Sequence, residues 1–342
     1  MKQSLTGRSD FITGLPNQFI CKKNVSSQVY FIFFFGVIAM LAGCNKKFPV
    51  DPGPGHNLPL TIDFTSPNLF PEGLAYDPIR YRFYVSSTSF GQVGTVSPEG
   101  SYSPFITDTI LKGTTGLKVD NALQRLWVCN VENGIGVYSL ANGKRIFYTD
   151  LTKVLPNAPA FINDEVLDPE GNAYITNSFF PVIYKVTREG KASVFFQDNA
   201  FTTAPGDFGF NGIQYDAKGF LLVAFADQLV KIPLHNPASY SFVKLDAPII
   251  ADGLLLSKDG SQLISVNDTG GTPDDKVVSF ISNDEWKTGS LSTSYSTGAV
   301  FPTSVTSDGK RVFVVYSFLN NGDAGQNTFT IQEVPLQKGS SF

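Results

Sequence analysis

One short phrase recurs six times along this chain, each time with a polar residue at its head. The copies begin with Glu72-Gly73-Leu74-Ala75-Tyr76-Asp77, Thr115-Gly116-Leu117-Lys118-Val119-Asp120 and Asn163-Asp164-Glu165-Val166-Leu167-Asp168. They end with Asn211-Gly212-Ile213-Gln214-Tyr215-Asp216, Asp252-Gly253-Leu254-Leu255-Leu256-Ser257 and Thr303-Ser304-Val305-Thr306-Ser307-Asp308. Repetition every 40 to 50 residues or so marks an array of equivalent units, none of which buries its apolar face alone. If the array closes into a ring, equivalent positions face one centre. Glu72, Asn163, Asn211 and Asp252 then converge, although they are far apart in sequence.

Each copy follows one grammar. A short apolar strand ends at Asp or a similar residue, a tight turn such as Pro169-Glu170-Gly171-Asn172 follows, and a second strand such as Ala173-Tyr174-Ile175-Thr176 returns. That is a hairpin signal. Third strands (Gly136–Ser139, Val182–Lys185, Leu229–Ile232) and fourth strands (Ser103–Ile106, Arg145–Tyr148, Ser193–Phe196, Tyr240–Val243) come after it. No helical period is seen past the first 45 residues or so. Six units of four antiparallel strands predict an all-β, six-bladed β-propeller over residues 59–338. Helical and leucine-rich repeats would need helices, and a sandwich would not repeat one phrase. The last copy lacks a fourth strand, and Leu60–Thr65 is an orphan strand before the first copy. The N-terminal strand is therefore expected to complete blade 6 and leave no open edge.

The start of the chain reads as a targeting segment. Lys22 and Lys23 precede the apolar run Val29–Ala42, which is short for a membrane span. Leu41-Ala42-Gly43-Cys44 resembles the bacterial lipobox. Residues 1–43 are expected to act as a lipoprotein signal peptide, Cys44 to be lipidated, and 44–58 to form a Pro/Gly-rich tether. The protein would then sit lipid-anchored in the bacterial cell envelope. Cys129 remains as a buried, inert thiol, so no disulfide framework is expected. The formal net charge of −4 argues against nucleic acid. A monomer with a small-molecule ligand or substrate is expected.

Ring order at the channel mouth is Glu72, Thr115, Asn163, Asn211, Asp252, Thr303. Carboxylates and amides offer hard oxygen ligands, the set that calcium prefers; magnesium, manganese and zinc are the other divalent candidates. His56 and His235 are the only histidines, and neither lies at a ring position. The terminal Asp of the inner strands (Asp77, Asp120, Asp168, Asp216, Asp308) reads as turn chemistry. The loops 268–275 and 320–326 read as solvated turns.

Glu72-Gly73, Phe161-Ile162-Asn163-Asp164 with Asp168-Pro169-Glu170-Gly171, Asn211-Gly212 and Ala251-Asp252-Gly253 resemble signature segments of the regucalcin (senescence marker protein) and gluconolactonase family. The resemblance implies a six-bladed propeller with a divalent cation in its channel and lactone hydrolysis. It further implies Glu72, Asn211, Asp252 and Asn163 as metal-contacting residues, with Asp252 as acid/base and Asn163 at the substrate. Two positions depart from the sugar-lactonase pattern: Phe161 replaces an Arg, and Asn177-Ser178-Phe179-Phe180-Pro181 lacks an acidic residue. A less polar substrate than a sugar acid follows. Phe161, Thr115 and Thr303 are expected at its pocket, with Phe201, Phe208 and Phe210 from the loop before Asn211. That loop and the loop 151–160 are expected to overhang the mouth.

Two functions compete: a metal-dependent hydrolase of a lactone or ester, and a non-enzymatic propeller that binds a ligand or partner. A strictosidine-synthase-like or arylesterase-like propeller would need histidines that are lacking.

Overall fold

The computed structural model describes residues 57–322, 325–336 and 341–342. The signal, Cys44 and most of the tether lie outside the described residues. Six sheets of antiparallel strands follow one another along the chain. Their innermost strands are Leu74–Asp77, Thr114–Asp120, Ile162–Leu167, Phe210–Asp216, Ala251–Leu256 and Pro302–Ser307. Each packs against the next, and the sixth returns to the first, so the ring is closed. The structure is thus the six-bladed propeller that the repeats predict. Blade 5 gains a fifth strand, Lys244–Leu245, which pairs in parallel with its outer strand Thr288–Ser296. Helical structure among the described residues is limited to four short 3-10 turns.

The expected closure is present. Thr61–Thr65 pairs antiparallel with Thr328–Val334 and forms the outer strand of blade 6. Arg311, in the turn at the end of that blade remote from the channel mouth, donates from Nη1 to the carbonyl of Leu58 at 2.7 Å. Ser341 and Phe342 extend the fold past the expected boundary at 338. The carbonyl of Ser341 accepts from the Lys258 N–H at 2.9 Å, and Phe342 is buried.

Apolar residues gather in six clusters among the described residues, one at each blade interface. The cluster between blades 6 and 1 contains Ile62 and Phe64 from the N-terminal strand, packed with Phe83, Phe313 and Phe329. Ring contacts there, such as Phe83 to Phe313 at 5.4 Å, show how the abundant phenylalanines fill wide inter-sheet gaps. Cys129 is buried in the cluster between blades 2 and 3.

Inner-strand Asp residues hold the hairpin turns. Asp77 Oδ1 accepts from the N–H groups of Ile79 and Arg80, and Asp308 Oδ1 from Lys310 and Arg311. These are Asx-type turns, fixed by local backbone bonding.

Candidate functional site

In blades 2 to 6 the ladder register slips at the head of the innermost strand. The slip falls between Thr114 and Leu117, Ile162 and Glu165, Phe210 and Ile213, Ala251 and Leu254, and Pro302 and Val305. The head residue of each phrase sits within that bulge. A bulge leaves a residue unpaired and re-aims its side chain, here toward the channel axis. In blade 1, Glu72 and Gly73 precede the strand, and Ser86 Oγ accepts both of their N–H groups. Glycine often follows the head residue because the neighbouring blade's backbone is so close. A Cβ on Gly212 would collide with the carbonyl oxygen of Asp252, and one on Gly253 would lie 2.6 Å from that of Thr303.

Glu72, Thr115, Asn163, Asn211 and Asp252 line one cavity of about 390 Å³ at the channel mouth. Thr303 does not. It is buried with its hydroxyl donating to the Glu72 carbonyl at 2.8 Å, and it pairs with Ser317 Oγ. Its role is to join blade 6 to blade 1. Thr115 also reaches the next blade, donating to the Ile162 carbonyl at 2.8 Å, while still lining the cavity.

A hydrogen-bond chain links three of the head residues. Asn163 Nδ2 donates to Ser178 Oγ at 2.8 Å and to Asn211 Oδ1 at 2.9 Å. The Asn211 amide in turn donates to the Asp252 carboxylate. Both amide hydrogens of Asn163 are thereby engaged, and its Oδ1 is buried with no partner among the described residues. Glu72 Oε2 is in the same condition. An unsatisfied buried acceptor costs about 1–3 kcal/mol, so two beside one cavity call for a ligand.

Charge points the same way. Burial, then the Asp252 carboxylate, raises the Glu72 carboxyl well above its ordinary range. Burial, then Asp268, does the same to Asp252. Asp268 also lines the cavity, and burial lifts it to about 6 against the hydrogen bond from Gly270. Deeper, burial lifts Glu165 to about 8 against the pull of Lys118, and Cys129 Sγ donates to its Oε2 at 2.8 Å. Burial works against the charge on Lys118, but Asp164 and Glu165 outweigh it and raise its pKa. Its Nζ lies 3.4 Å from Asp164 Oδ1. One lysine therefore faces Glu72, Asp164 and Glu165.

A surplus of carboxylate, two orphaned oxygens and polar head residues that offer oxygen fit a divalent cation. Among the described residues no three His, Cys, Asp or Glu side chains group closely enough to hold a metal by themselves. The amide oxygens must contribute, which suits calcium better than zinc.

The cavity walls are apolar: Phe161, Phe208, Ile250, Phe301 and Leu319. Phe161 and Phe208 meet at 4.9 Å between ring centroids, and Phe179 braces them at 5.0 and 5.3 Å. Phe201 and Phe210 are elsewhere, contrary to expectation. Both are buried in the core between blades 3 and 4, 4.9 Å apart, because Phe210 pairs with Phe225 before the bulge turns the strand. The loop before Asn211 does reach the mouth, through Phe208 and Gly209. The loop 151–160 contributes nothing to the described lining, and its Leu151 is buried in the core between blades 2 and 3.

The loop 268–275 is not a solvated turn. Asp268 lines the cavity, and the buried Asp275 accepts from Thr269 and from the N–H of Phe301. Sequence reasoning missed Asp268, Ile250, Phe301 and Leu319. The two acidic residues of the third phrase were its one signal for the inner pair, Asp164 and Glu165.

The sequence matches no family model and no curated protein. Several solved structures share the fold. The Malassezia sympodialis allergen Mala s 1 superposes with a TM-score of 0.66 at 20% identity, over 81% of this chain and 96% of that one. Regucalcin from Agrobacterium tumefaciens, described as a calcium-binding protein, gives 0.58 at 17%, over 80% and 93%. A gluconolactonase from Xanthomonas campestris gives 0.56 at 16%, over 80% and 89%. The resemblance read from the phrases thus extends to the whole six-bladed architecture.

Proposed function

We propose that this protein is a hydrolase of a lactone or ester that uses a divalent cation, calcium foremost, at the channel mouth. One observation carries the reading: Glu72, Asn163, Asn211 and Asp252 line a single cavity, with Glu72 Oε2 and Asn163 Oδ1 unpartnered. The fold shared with regucalcin and gluconolactonase structures supports it.

Glu72, Asn163, Asn211 and Asp252 would hold the cation, which when bound polarises the acyl carbonyl. The chain's own residues supply the rest. Asp252 takes a proton from water as the water oxygen bonds to the acyl carbon. The acyl C–O bond then breaks, and Asp252 returns the proton to the departing alkoxide. The products are an acid and an alcohol, joined in one molecule when the substrate is a lactone. Asn211, bonded to both Asn163 and Asp252, keeps the acceptor and the positioning amide in register.

The test is turnover of a lactone and ester panel by the purified domain, with calcium and with chelator. Cation-dependent hydrolysis that disappears in Asp252→Ala is expected. Activity indifferent to chelator, or retained by Asp252→Ala, would overturn the mechanism. A binding propeller without turnover is the second reading, and Phe161 at the position of the sugar-lactonase Arg favours it.

The proposal extends to location. Residues 1–43 direct export, and Cys44 carries a lipid that anchors a monomer to the envelope. The support is Leu41-Ala42-Gly43-Cys44 and the apolar run before it. Labelling cells with a tagged fatty acid should mark the protein, and Cys44→Ser should lose the label.

A further inference from the structure

The cavity has two unlike halves. Its floor carries Asn163, Asn211, Asp252 and Glu72, and its walls carry Phe161, Phe208, Ile250, Phe301 and Leu319. No Lys, Arg or His is among the described lining residues. With Glu72 and Asp252 committed to the cation, a substrate with a free carboxylate or phosphate would still meet Asp268, with no cationic side chain to receive it.

The aromatic wall is built in advance. Asn177 Oδ1 accepts from the N–H of Phe161 at 3.0 Å and of Phe179 at 3.1 Å, which ties two loops together behind the rings. On the opposite side, Phe301 has a left-handed backbone (φ 51°), and its N–H donates to Asp275 Oδ2 at 3.2 Å. A bulky residue adopts that conformation at a cost, and such strain gathers at ligand clamps. Phe208 and Ile250 remain 49% and 47% exposed, whereas Phe201 and Phe210 are covered by protein. The volume of about 390 Å³ corresponds to about 13 water molecules at ~30 Å³ each, more than a bare lactone ring requires.

We infer that the substrate is a neutral lactone or ester with one hydrophobic substituent. The substituent lies against Phe161 and Phe208, and the acyl group reaches Asn163, Asn211 and Asp252. The acyl half rests on the hydrolase reading above; the substituent half rests on the walls alone. A polyhydroxylated ring in the same place would set its hydroxyls against phenyl faces, without the hydrogen bonds that water gave them.

The experiment measures kcat/KM and Kd of the calcium-loaded domain for γ-lactones with unbranched side chains of zero to eight carbons, with δ-gluconolactone for comparison. Both constants should improve about fourfold per methylene until the cavity is full. Phe208→Ala should cut the long-to-short ratio about tenfold. Phe161→Arg should move preference toward δ-gluconolactone. Cation-dependent turnover with no dependence on chain length, or with δ-gluconolactone preferred, overturns the substituent subsite and leaves the hydrolase standing. Tight, chain-length-dependent and Phe208-dependent binding without turnover keeps the subsite and overturns the hydrolase. Neither binding nor turnover across the series overturns both.

Discussion

Asn163 Nδ2 donates to Asn211 Oδ1 across 2.9 Å and so bolts blade 3 to blade 4 at the channel mouth. The same amide holds Ser178 Oγ, which in turn donates to the Phe210 carbonyl at 2.6 Å. One side chain thus fixes Asn211, a loop and its own unpartnered oxygen. Asn163→Ala should lower calcium affinity by about 10–100-fold, the usual cost of losing a group that orients a metal site. Titration calorimetry checks this, and an unchanged circular dichroism spectrum would show that the blades still assemble.

Calcium should stabilise the fold, and removing a carboxylate should act in two opposite directions. At 100 times its Kd, calcium is expected to add about 2.7 kcal/mol, read as a rise in Tm that chelator reverses. Glu72→Gln removes a carboxyl whose ionised form is disfavoured by burial and then by Asp252, Asp164 and Glu165. Its Tm without calcium should therefore rise above that of the parent, while the response to calcium disappears. A variant that is less stable in chelator, or that still responds to calcium, would contradict the assignment of Glu72.

Burial leaves the cation-free protein sensitive to pH. Glu165 titrates at about 8 when folded, against an ordinary 4.5. The folded state therefore holds a proton that the unfolded chain has released. The stability from this group is complete below about pH 4.5 and drains away as pH rises to about 8, at up to about 1.4 kcal/mol per pH unit for one proton. Thermal melts in chelator should show Tm falling across that window. Glu165→Gln, neutral throughout, should make the fall shallower, leaving the share that comes from Glu72, Asp252 and Asp268.

The outer strand of blade 6 comes from the other end of the chain, so its removal should be costly. Deleting 57–65 strips Ile62 and Phe64 from the core between blades 6 and 1 and bares the edge of Thr328–Val334. Loss of a cooperative melt and the appearance of aggregates on size-exclusion chromatography are expected. A monodisperse truncated domain with the parent Tm would refute the closure argument.

The blades and the polar floor were legible in the sequence for one reason. Each inner strand occupies an equivalent place in a closed ring, so Glu72, Asn163, Asn211 and Asp252 share a register that the repeat exposes. Part of the wall follows the same register, since Phe161, Ile250 and Phe301 each stand two residues before a head residue. Ile250 and Phe301 lie in the segments that lead into blades 5 and 6, and Asp268 and Leu319 lie in loops after second strands. Phe210 was misread because alternation cannot be carried through a bulge: the slip between Phe210 and Ile213 sends its ring into the core, while Phe208, two residues earlier, stays at the mouth. Thr303 has the right register, but its hydroxyl turns to the Glu72 carbonyl.

Arg311 grips the carbonyl of Leu58 on the underside of blade 6. A domain that begins at Leu58 therefore starts on the face opposite the cavity, and an affinity tag, a fluorescent reporter or a linker to a bead can be joined there. Attachment by that end should leave the entrance unobstructed, and bulky fusions there need not compromise ligand access.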